Sequence, residues 1–334
     1  MSFVLCESNA AEYLVSHGLI ASADVVGVEA LGGGVSNVVA KVSTRDECFI
    51  IKQSLSKLRV SGDWFANRER IFREKECIDA LAPQLPPDAL PTVYYEDKVN
   101  FLFVMSCAPD QGVNWKETLL RGIVDTEVAK EVGNILGTIH RSTTDNPGLE
   151  AQFGDHQSFI QLRIDPYHLS TAEAHPDLAA LFRREAQRML DFKTALIHGD
   201  YSPKNIIVSG GKVFLIDFEV VHYGNPVFDV AFMLNHLMLK SIYKPSIRSA
   251  YFKAAEKFLS SYYGAVTRAM NFERDVMKQL GCLMLSRVDG KSPAEYINTP
   301  KTKGVVRAVA RELLLTDYSN LSNVTTLVDS HLNN

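Results

Sequence analysis

The chain has 334 residues, 46% of them apolar, and carries 35 Lys and Arg against 39 Asp and Glu for a net charge of −4. That length suffices for two domains with large cores, and the slightly acidic balance gives no general electrostatic drive toward nucleic acid or anionic membranes. Cys6, Cys48, Cys77, Cys107 and Cys282 are scattered, with no C-x-x-C and no Cys/His metal spacing, so they read as free thiols. With no long uncharged apolar stretch and no basic lead before the short run 3–6, the expectation is a soluble, cytoplasmic protein.

In chain order, residues 9–17 have helical character, with Ser8 or Asn9 as cap and Gly18 as stop. Residues 25–31 and 38–42 read as two strands of a hairpin whose tip is Gly32-Gly33-Gly34. Backbone N–H groups of Gly33 and Gly34 can approach a phosphate closely, and Ser36 adds a hydroxyl donor; three glycines also make a plain hairpin. No G-K-[ST] follows, which excludes a Walker A loop. The next strand, 48–51, ends on Lys52, a residue that can neutralise phosphates if a glutamate on the following helix, 63–81, holds it in place. Of Glu69, Glu74 and Glu76, Glu74 shares a face with Ile78 and Leu81 and is the chosen partner; the other reading is a surface lysine beside a solvated helix.

Residues 92–95 and 99–105 form another hairpin, closing a first domain at 1–105. The turn-rich segment 106–110 is a boundary, and 111–334 form a second, mainly helical domain. There Val128, Val132, Ile135 and Ile139 make a core-facing stripe that stops at Asp145-Asn146-Pro147-Gly148, and His140 on its last turn is structural.

The richest stretch is 196–229. His198-Gly199-Asp200 is followed by Asn205, a strand at 206–208, a turn at Ser209-Gly210-Gly211-Lys212 and a second strand, 213–216, that delivers Asp217 and Glu219. The hairpin lets Asp200, Asn205 and Asp217 converge, and hard oxygen ligands of that kind suit Mg²⁺. Asp229 opens a helical segment after Gly224-Asn225-Pro226 and is either its cap or a loop anchor.

HGD-x-x-x-x-N, IDFE and GNPVFDVA together resemble the aminoglycoside phosphotransferase and choline kinase superfamily, and the resemblance covers most of the chain. It implies an α+β, two-lobed protein-kinase-like fold with an antiparallel-sheet N-lobe and a mainly helical C-lobe, using ATP and Mg²⁺ to phosphorylate a hydroxyl of a small molecule. In those terms Asp200 is the catalytic base, and Asn205 and Asp217 hold metal with Glu219 assisting. Lys52 grips phosphate and Glu74 positions it, while Ser106, Cys107 and Ala108 form a hinge that receives adenine through backbone groups. Asp229 becomes an anchor for the catalytic loop. No A-P-E segment follows Asp217-Phe218-Glu219, which argues against a protein kinase. An aminoglycoside phosphotransferase and a catalytically silent nucleotide-binding homologue remain as alternatives.

The stretch Lys52-Gln53 through Leu58-Arg59-Val60-Ser61-Gly62-Asp63-Trp64 is similar to one in methylthioribose kinases. Trp64 serves equally as a helix-start staple and Arg59 as a solvated loop charge. Near the C-terminus, Arg287 is either an acceptor contact or a helix-end charge. Methylthioribose kinases carry two adjacent arginines there. Ser286 stands in place of the first, which implies that methylthioribose is at best a poor substrate.

Overall fold

The structure, a computed structural model, describes residues 3–32, 36–59, 65, 67–266 and 272–333. The chain divides into two compact units, Met1–Asp110 with Phe214–Glu219, and Gln111–Val213 with Val220–Asn334. The boundary segment 106–110 therefore belongs to the first unit, and a short piece around Asp217 joins that unit from far along the chain. Among the described residues, no helix is long and apolar enough to cross a membrane.

In the first unit, β1 (Val25–Leu31), β2 (Asn37–Thr44), β3 (Cys48–Ser54), β4 (Val93–Asp97) and β5 (Leu102–Ser106) form an antiparallel sheet in the order β1-β2-β3-β5-β4. Strand β3 is paired on both sides, which explains its nearly continuous burial. Its residues alternate between two cores. Phe49 and Ile51 pack with Leu5, Ala10, Tyr13 and Leu14, the last three from helix α1 (Glu7–Ser16). Ile50 points the other way, to Phe103, Met105 and Ile71 of helix α2 (Arg70–Leu81). The period of two then places Lys52 on the α2 side. On α2, Arg70, Ile71, Glu74, Cys77, Ile78 and Leu81 are buried, a single face at three- and four-residue spacing that carries two charged groups inward.

Two expectations change here. Helix α2 starts at Arg70 rather than near 63, and Val60, Gly62, Asp63 and Trp64 lie outside the described residues, as do Gly33 and Gly34. Cys48 and Cys107 are joined in a disulfide, with Cα atoms 5.5 Å apart, so they are not free thiols; Cys6, Cys77 and Cys282 are not disulfide-bonded. The physical reason is register, because pairing Phe49 with Ser106 brings the next two residues of β3 and β5 opposite one another.

The second unit opens with β6 (Val113–Asn114), α3 (Trp115–Arg121), α4 (Thr126–Thr143), α5 (Pro147–Phe153) and a single turn, α6 (Gln157–Phe159). A π-helical segment (Ile160–Leu169) follows, then α7 (Ser170–Ala174) and α8 (Ala179–Asp191). Pro166 within the π-helical segment has no N–H to give a regular α-helical bond. Short strands β7 (Ala195–Ile197), β8 (Ile206–Ser209), β9 (Lys212–Leu215) and β10 (His222–Gly224) lead to α9 (Val227–Tyr243), α10 (Arg248–Ala265), α11 (Phe272–Asp289), α12 (Pro300–Leu315) and α13 (Leu321–Asn333). Helix α9 is apolar on nearly every side, as suits a helix at the centre of a bundle.

Helix α4 shows its stripe of Val128, Val132, Ile135 and Ile139 buried, and it is capped by Asp125, which accepts from the N–H of Glu127. Its glycines set the distance to α10. A Cβ on Gly133 would stand 2.2 Å from the backbone oxygen of Phe258, and one on Gly137 would stand 2.6 Å from the Ala265 methyl. Gly133→Ala gains about 1 kcal/mol of helix propensity but drives a methyl into backbone that cannot rotate away, and overpacking of that kind costs about 1–3 kcal/mol or more. We expect a lower melting temperature for Gly133→Ala, while Gly264→Ala, where a Cβ meets nothing within 4 Å, leaves it unchanged or raised. Equal melting temperatures for Gly133→Ala and the wild type would contradict this close helix contact.

Candidate active site

In the first unit the charged side chains gather around Lys52. Its Nζ donates to Glu74 Oε2 and to Asp217 Oδ1, both at 2.6 Å, and the lysine is 4% exposed. Burial alone would push this ammonium down, but Asp217, Glu74 and Glu219 outweigh it and hold Lys52 above the ordinary lysine value. Burial raises Glu74, with Lys52 acting against the rise and Asp217 adding to it. Of the three glutamates weighed for this partnership, Glu74 is the one bonded to Lys52. Asp217 sits at φ 70°, a left-handed conformation that asparagine and aspartate tolerate better than other side chains. Held strain of this sort marks functional turns more often than packing turns.

Glu219, expected to assist a metal ion, is bonded on both carboxylate oxygens. Its Oε1 accepts from Ser36 Oγ at 2.5 Å, and its Oε2 accepts from Asn37 Nδ2 at 2.9 Å and from Arg70 Nε at 3.1 Å. Arg70 also donates to the backbone oxygens of Ser36, Leu55 and Asn67. Ser36, expected at a phosphate, thus gives its hydroxyl to Glu219, and the carboxylate ties β2, α2 and the segment after β9 into one network. Ser106, expected to receive adenine, spends its N–H on the Thr92 oxygen at 2.8 Å, and its Oγ accepts from Thr92 N. Cys107 and Ala108 keep their backbone positions at the end of β5.

In the second unit, β7 runs directly into His198-Gly199-Asp200. Gly199 has φ +74°, and a Cβ there would lie 2.6 Å from the Val220 oxygen, so this turn demands glycine twice over. Asp229, fully buried at the start of α9, accepts from His198 N at 2.7 Å and Gly199 N at 2.9 Å. That resolves it as the anchor of the loop. His140 reaches the same carboxylate at 3.4 Å through Nε2 and Tyr262 OH at 3.0 Å through Nδ1, a structural position. Asp200 lies 2.8 Å from Asn205 Nδ2, 2.9 Å from Arg163 Nη2 and 3.5 Å from Lys204 Nζ. Both bonds of Asn205 to this loop use Nδ2, which leaves its Oδ1 as an oxygen donor.

Among the described residues, no three His, Cys, Asp or Glu side chains gather as a metal centre. Mg²⁺ asks for less, one or two carboxylates with water and phosphate completing its shell. The donor chemistry fits. In the first unit Asp217 offers a carboxylate oxygen, and around Lys52 and Arg70 the three carboxylates Glu74, Asp217 and Glu219 leave a negative excess; in the second unit Asn205 offers its Oδ1.

Several positions escaped the sequence reading. Arg163, on the π-helical segment, bonds the catalytic-loop aspartate and the Gly199 oxygen, and no motif announces it. Arg70 stands four residues before Glu74 on one face of α2 and could have been found from that spacing. Arg287 donates through Nη1 to Ser292 O, to Ser292 Oγ at 2.8 Å and to Tyr167 OH at 3.4 Å. Lys240 is fully buried on α9, its Nζ 3.4 Å from the His236 oxygen and 5.2 Å over the Tyr296 ring.

A lysine on the central strand of an antiparallel sheet, bonded to a helix glutamate and to the aspartate after a β-hairpin, in a chain whose other unit is mainly helical, defines a protein-kinase-like fold. Residues 27–272 match the phosphotransferase enzyme family, APH, and the chain belongs to that family. It is similar to methylthioribose kinase 2 of Oryza sativa subsp. japonica, 25% identical over 244 residues, which are 65% of this chain and 57% of that one. The chain therefore spans little more than half the length of that relative. A methylthioribose kinase of Bacillus cereus is 27% identical over 295 residues, covering 80% of this chain and 74% of the relative. Among solved structures, a choline/ethanolamine kinase family protein from Mesorhizobium loti has the same fold, with a TM-score of 0.57 at 13% identity and coverage of 97% and 99%.

Lys240 generates a prediction of its own. Burial is the main cause that lowers it from 10.5 to about 7, helped by the nearby charges of Lys116 and Arg287 and opposed by Glu295. Between those two values the unfolded chain holds the proton and the folded chain does not, so the lysine makes stability rise with pH from about 7 to 10.5. Lys240→Met removes that slope and stabilises the protein at pH 7 and below, by on the order of a few kcal/mol. Denaturant unfolding of both proteins at neutral and alkaline pH measures this, and parallel pH slopes would rule out a depressed Lys240.

Proposed function

We propose that the chain is a kinase that transfers the γ-phosphoryl group of ATP to a hydroxyl of a small molecule. Membership of the phosphotransferase family gives the reaction class, and family kinases use ATP. The observation that carries the reading is Lys52, buried and bonded at 2.6 Å to both Glu74 and Asp217. A buried lysine over-supplied with carboxylates has little use in a silent scaffold, since the same volume of apolar side chain would be at least as stable.

In this reading Lys52 binds α and β phosphate oxygens, and Glu74 fixes its direction. Asp217 in the first unit and the Oδ1 of Asn205 in the second are the residues of each unit that would serve as Mg²⁺ donors, and the ion would neutralise charge on the phosphate oxygens. Glu219 holds the network of Ser36, Asn37 and Arg70 in place; we assign it support of Asp217 ahead of direct metal contact. The backbone groups of Cys107 and Ala108 receive the adenine. Asp200 accepts the proton of the acceptor hydroxyl. Arg163 and Asn205 orient its carboxylate, and Asp229 fixes the loop from behind. Little covalent chemistry is asked of the protein, so positioning and fixed charge supply most of the rate.

Asp200→Asn and Asp217→Asn should each lower turnover by about 10²–10⁴-fold or more while circular dichroism stays unchanged. Turnover within a few-fold of wild type in either variant would remove that residue from its role. A non-hydrolysable ATP analogue with Mg²⁺ should raise the melting temperature, since a ligand at 100 times its Kd stabilises by about 2.7 kcal/mol, and Lys52→Ala should shrink that rise. No shift at millimolar nucleotide would favour a catalytically silent homologue.

A further inference from the structure

The side chains within reach of the catalytic loop in the second unit carry more positive than negative charge. Asp200 is already matched by Arg163 at 2.9 Å and by Lys204 at 3.5 Å. Beyond Arg163 lies Tyr167, its ring 5.7 Å from the Arg163 guanidinium and 5.9 Å from that of Arg287. Phe232 of α9 stacks on Tyr167, with His236 and Lys240 following at four-residue steps on the same helix face. Lys116 of α3 completes the set. It is paired with Glu295 at 2.5 Å, and that carboxylate also moderates Lys240 and is itself influenced by Arg287.

Arg287 and Lys240 have no carboxylate bonded to them among the described residues. Arg287 bonds only neutral oxygens, and its buried Nε has no acceptor. Lys240 is 0% exposed with a carbonyl at 3.4 Å and a ring as its company. Buried lysines are rarely left without an acid, because an unmatched charge is costly. His236 adds no further charge, since burial and the surrounding cations hold it well below the ordinary histidine value. Lys116 is taken up by Glu295, and Lys240 sheds charge through burial, which leaves Arg287 as the cation with no carboxylate bonded to it among the described residues. A polycationic acceptor would meet repulsion here, and a neutral sugar would leave the excess unanswered.

Resting on the kinase reading above, we propose that the acceptor is a hydroxy compound bearing an oxyanion, a carboxylate or a phosphate. The oxyanion is held by Arg287, and the hydroxyl is presented to Asp200. The Nη1 of Arg287 is engaged by Ser292 and Tyr167, and its Nε has no acceptor, so the guanidinium keeps donors and an unmatched charge for an anion. Both guanidinium groups stand within 6 Å of the Tyr167 ring, Arg163 at 5.7 Å and Arg287 at 5.9 Å, so the acceptor is a small molecule.

The test uses matched pairs that differ in the anionic group: glycerate against glycerol, gluconate against glucose, and ribose 5-phosphate against ribose. Binding to the full chain is measured by calorimetry with a non-hydrolysable ATP analogue and Mg²⁺, and turnover is measured separately by ADP release with ATP, methylthioribose included. The expected result is that the anionic member of at least one pair binds about 10- to 100-fold more tightly than its neutral partner. Arg287→Gln should abolish that difference and Arg287→Lys should reduce it, with nucleotide affinity unchanged in both. The carboxylate and phosphate arms say which oxyanion is preferred. Equal binding within every pair, no anion-dependent binding in the millimolar range, or a preference that survives Arg287→Gln would overturn the proposal. Anion binding that depends on Arg287 without any ADP release would uphold the oxyanion subsite and count against the kinase reading instead.

Discussion

Burying the Lys52 ammonium governs the arrangement of the first unit. An ion removed from water must be met by carboxylates with good geometry, and those carboxylates must be satisfied in turn. Lys52 has Glu74 and Asp217 at 2.6 Å, one from the inward face of α2 and one from the turn after β9. Bringing Asp217 there requires the piece Phe214–Glu219 to belong to the first unit, and Glu219 secures that piece by bonding Ser36, Asn37 and Arg70. Breaking such a buried pair by removing one partner costs about 3–5 kcal/mol, so the network holds together or fails together. Its charge is not balanced, however. The two cations Lys52 and Arg70 stand among Glu74, Asp217 and Glu219, and the remaining negative charge is what a divalent cation would neutralise.

The second unit reaches rigidity by backbone anchoring. The Asp229 carboxylate holds two successive N–H groups, those of His198 and Gly199, and its own burial is compensated by them and by His140. Gly199 permits the turn that Val220 crowds. Asp200 is therefore presented from a fixed loop, and its direction is set by Arg163 and Asn205. Removing reorganisation of this kind is what electrostatic catalysis requires.

How much of this could be read from the chain depends on how local the determinants are. Strand β3, the hairpin β8–β9 and the stripe of α4 follow from periodicity, and β1 matches the expected strand at both ends. The residues of HGD-x-x-x-x-N come together, Asn205 bonding Asp200, because they are close in sequence. Glu74 was found through its helix face, which is also local. Arg163 was not found, since its partner Asp200 lies 37 residues away and nothing in the neighbouring sequence records a long-range bond; Arg70 shares the face of Glu74, which marks it as inward, but its bond to Glu219 spans 149 residues. The disulfide between Cys48 and Cys107 was missed for the same reason, being set by strand register across 59 residues. Ser36 was assigned to a phosphate because it follows the glycines, whereas tertiary contact with Glu219 decides where its hydroxyl goes.

Substrate choice is the property that family resemblance transmits least. At 25–27% identity to methylthioribose kinases the chain differs from these relatives at about three positions in four, and an acceptor is recognised by side chains that the reaction itself does not constrain. Ser286 is such a position. It is fully buried and bonds the Leu283 oxygen of its own helix, so it stands in the packing of α11 with nothing to offer a sugar, and Arg287 is left as the lone guanidinium of that turn. The carboxylates around Lys52 in the first unit suit a divalent cation, while in the second unit Arg287 bonds only neutral oxygens among the described residues, so the two places call for ligands of opposite sign.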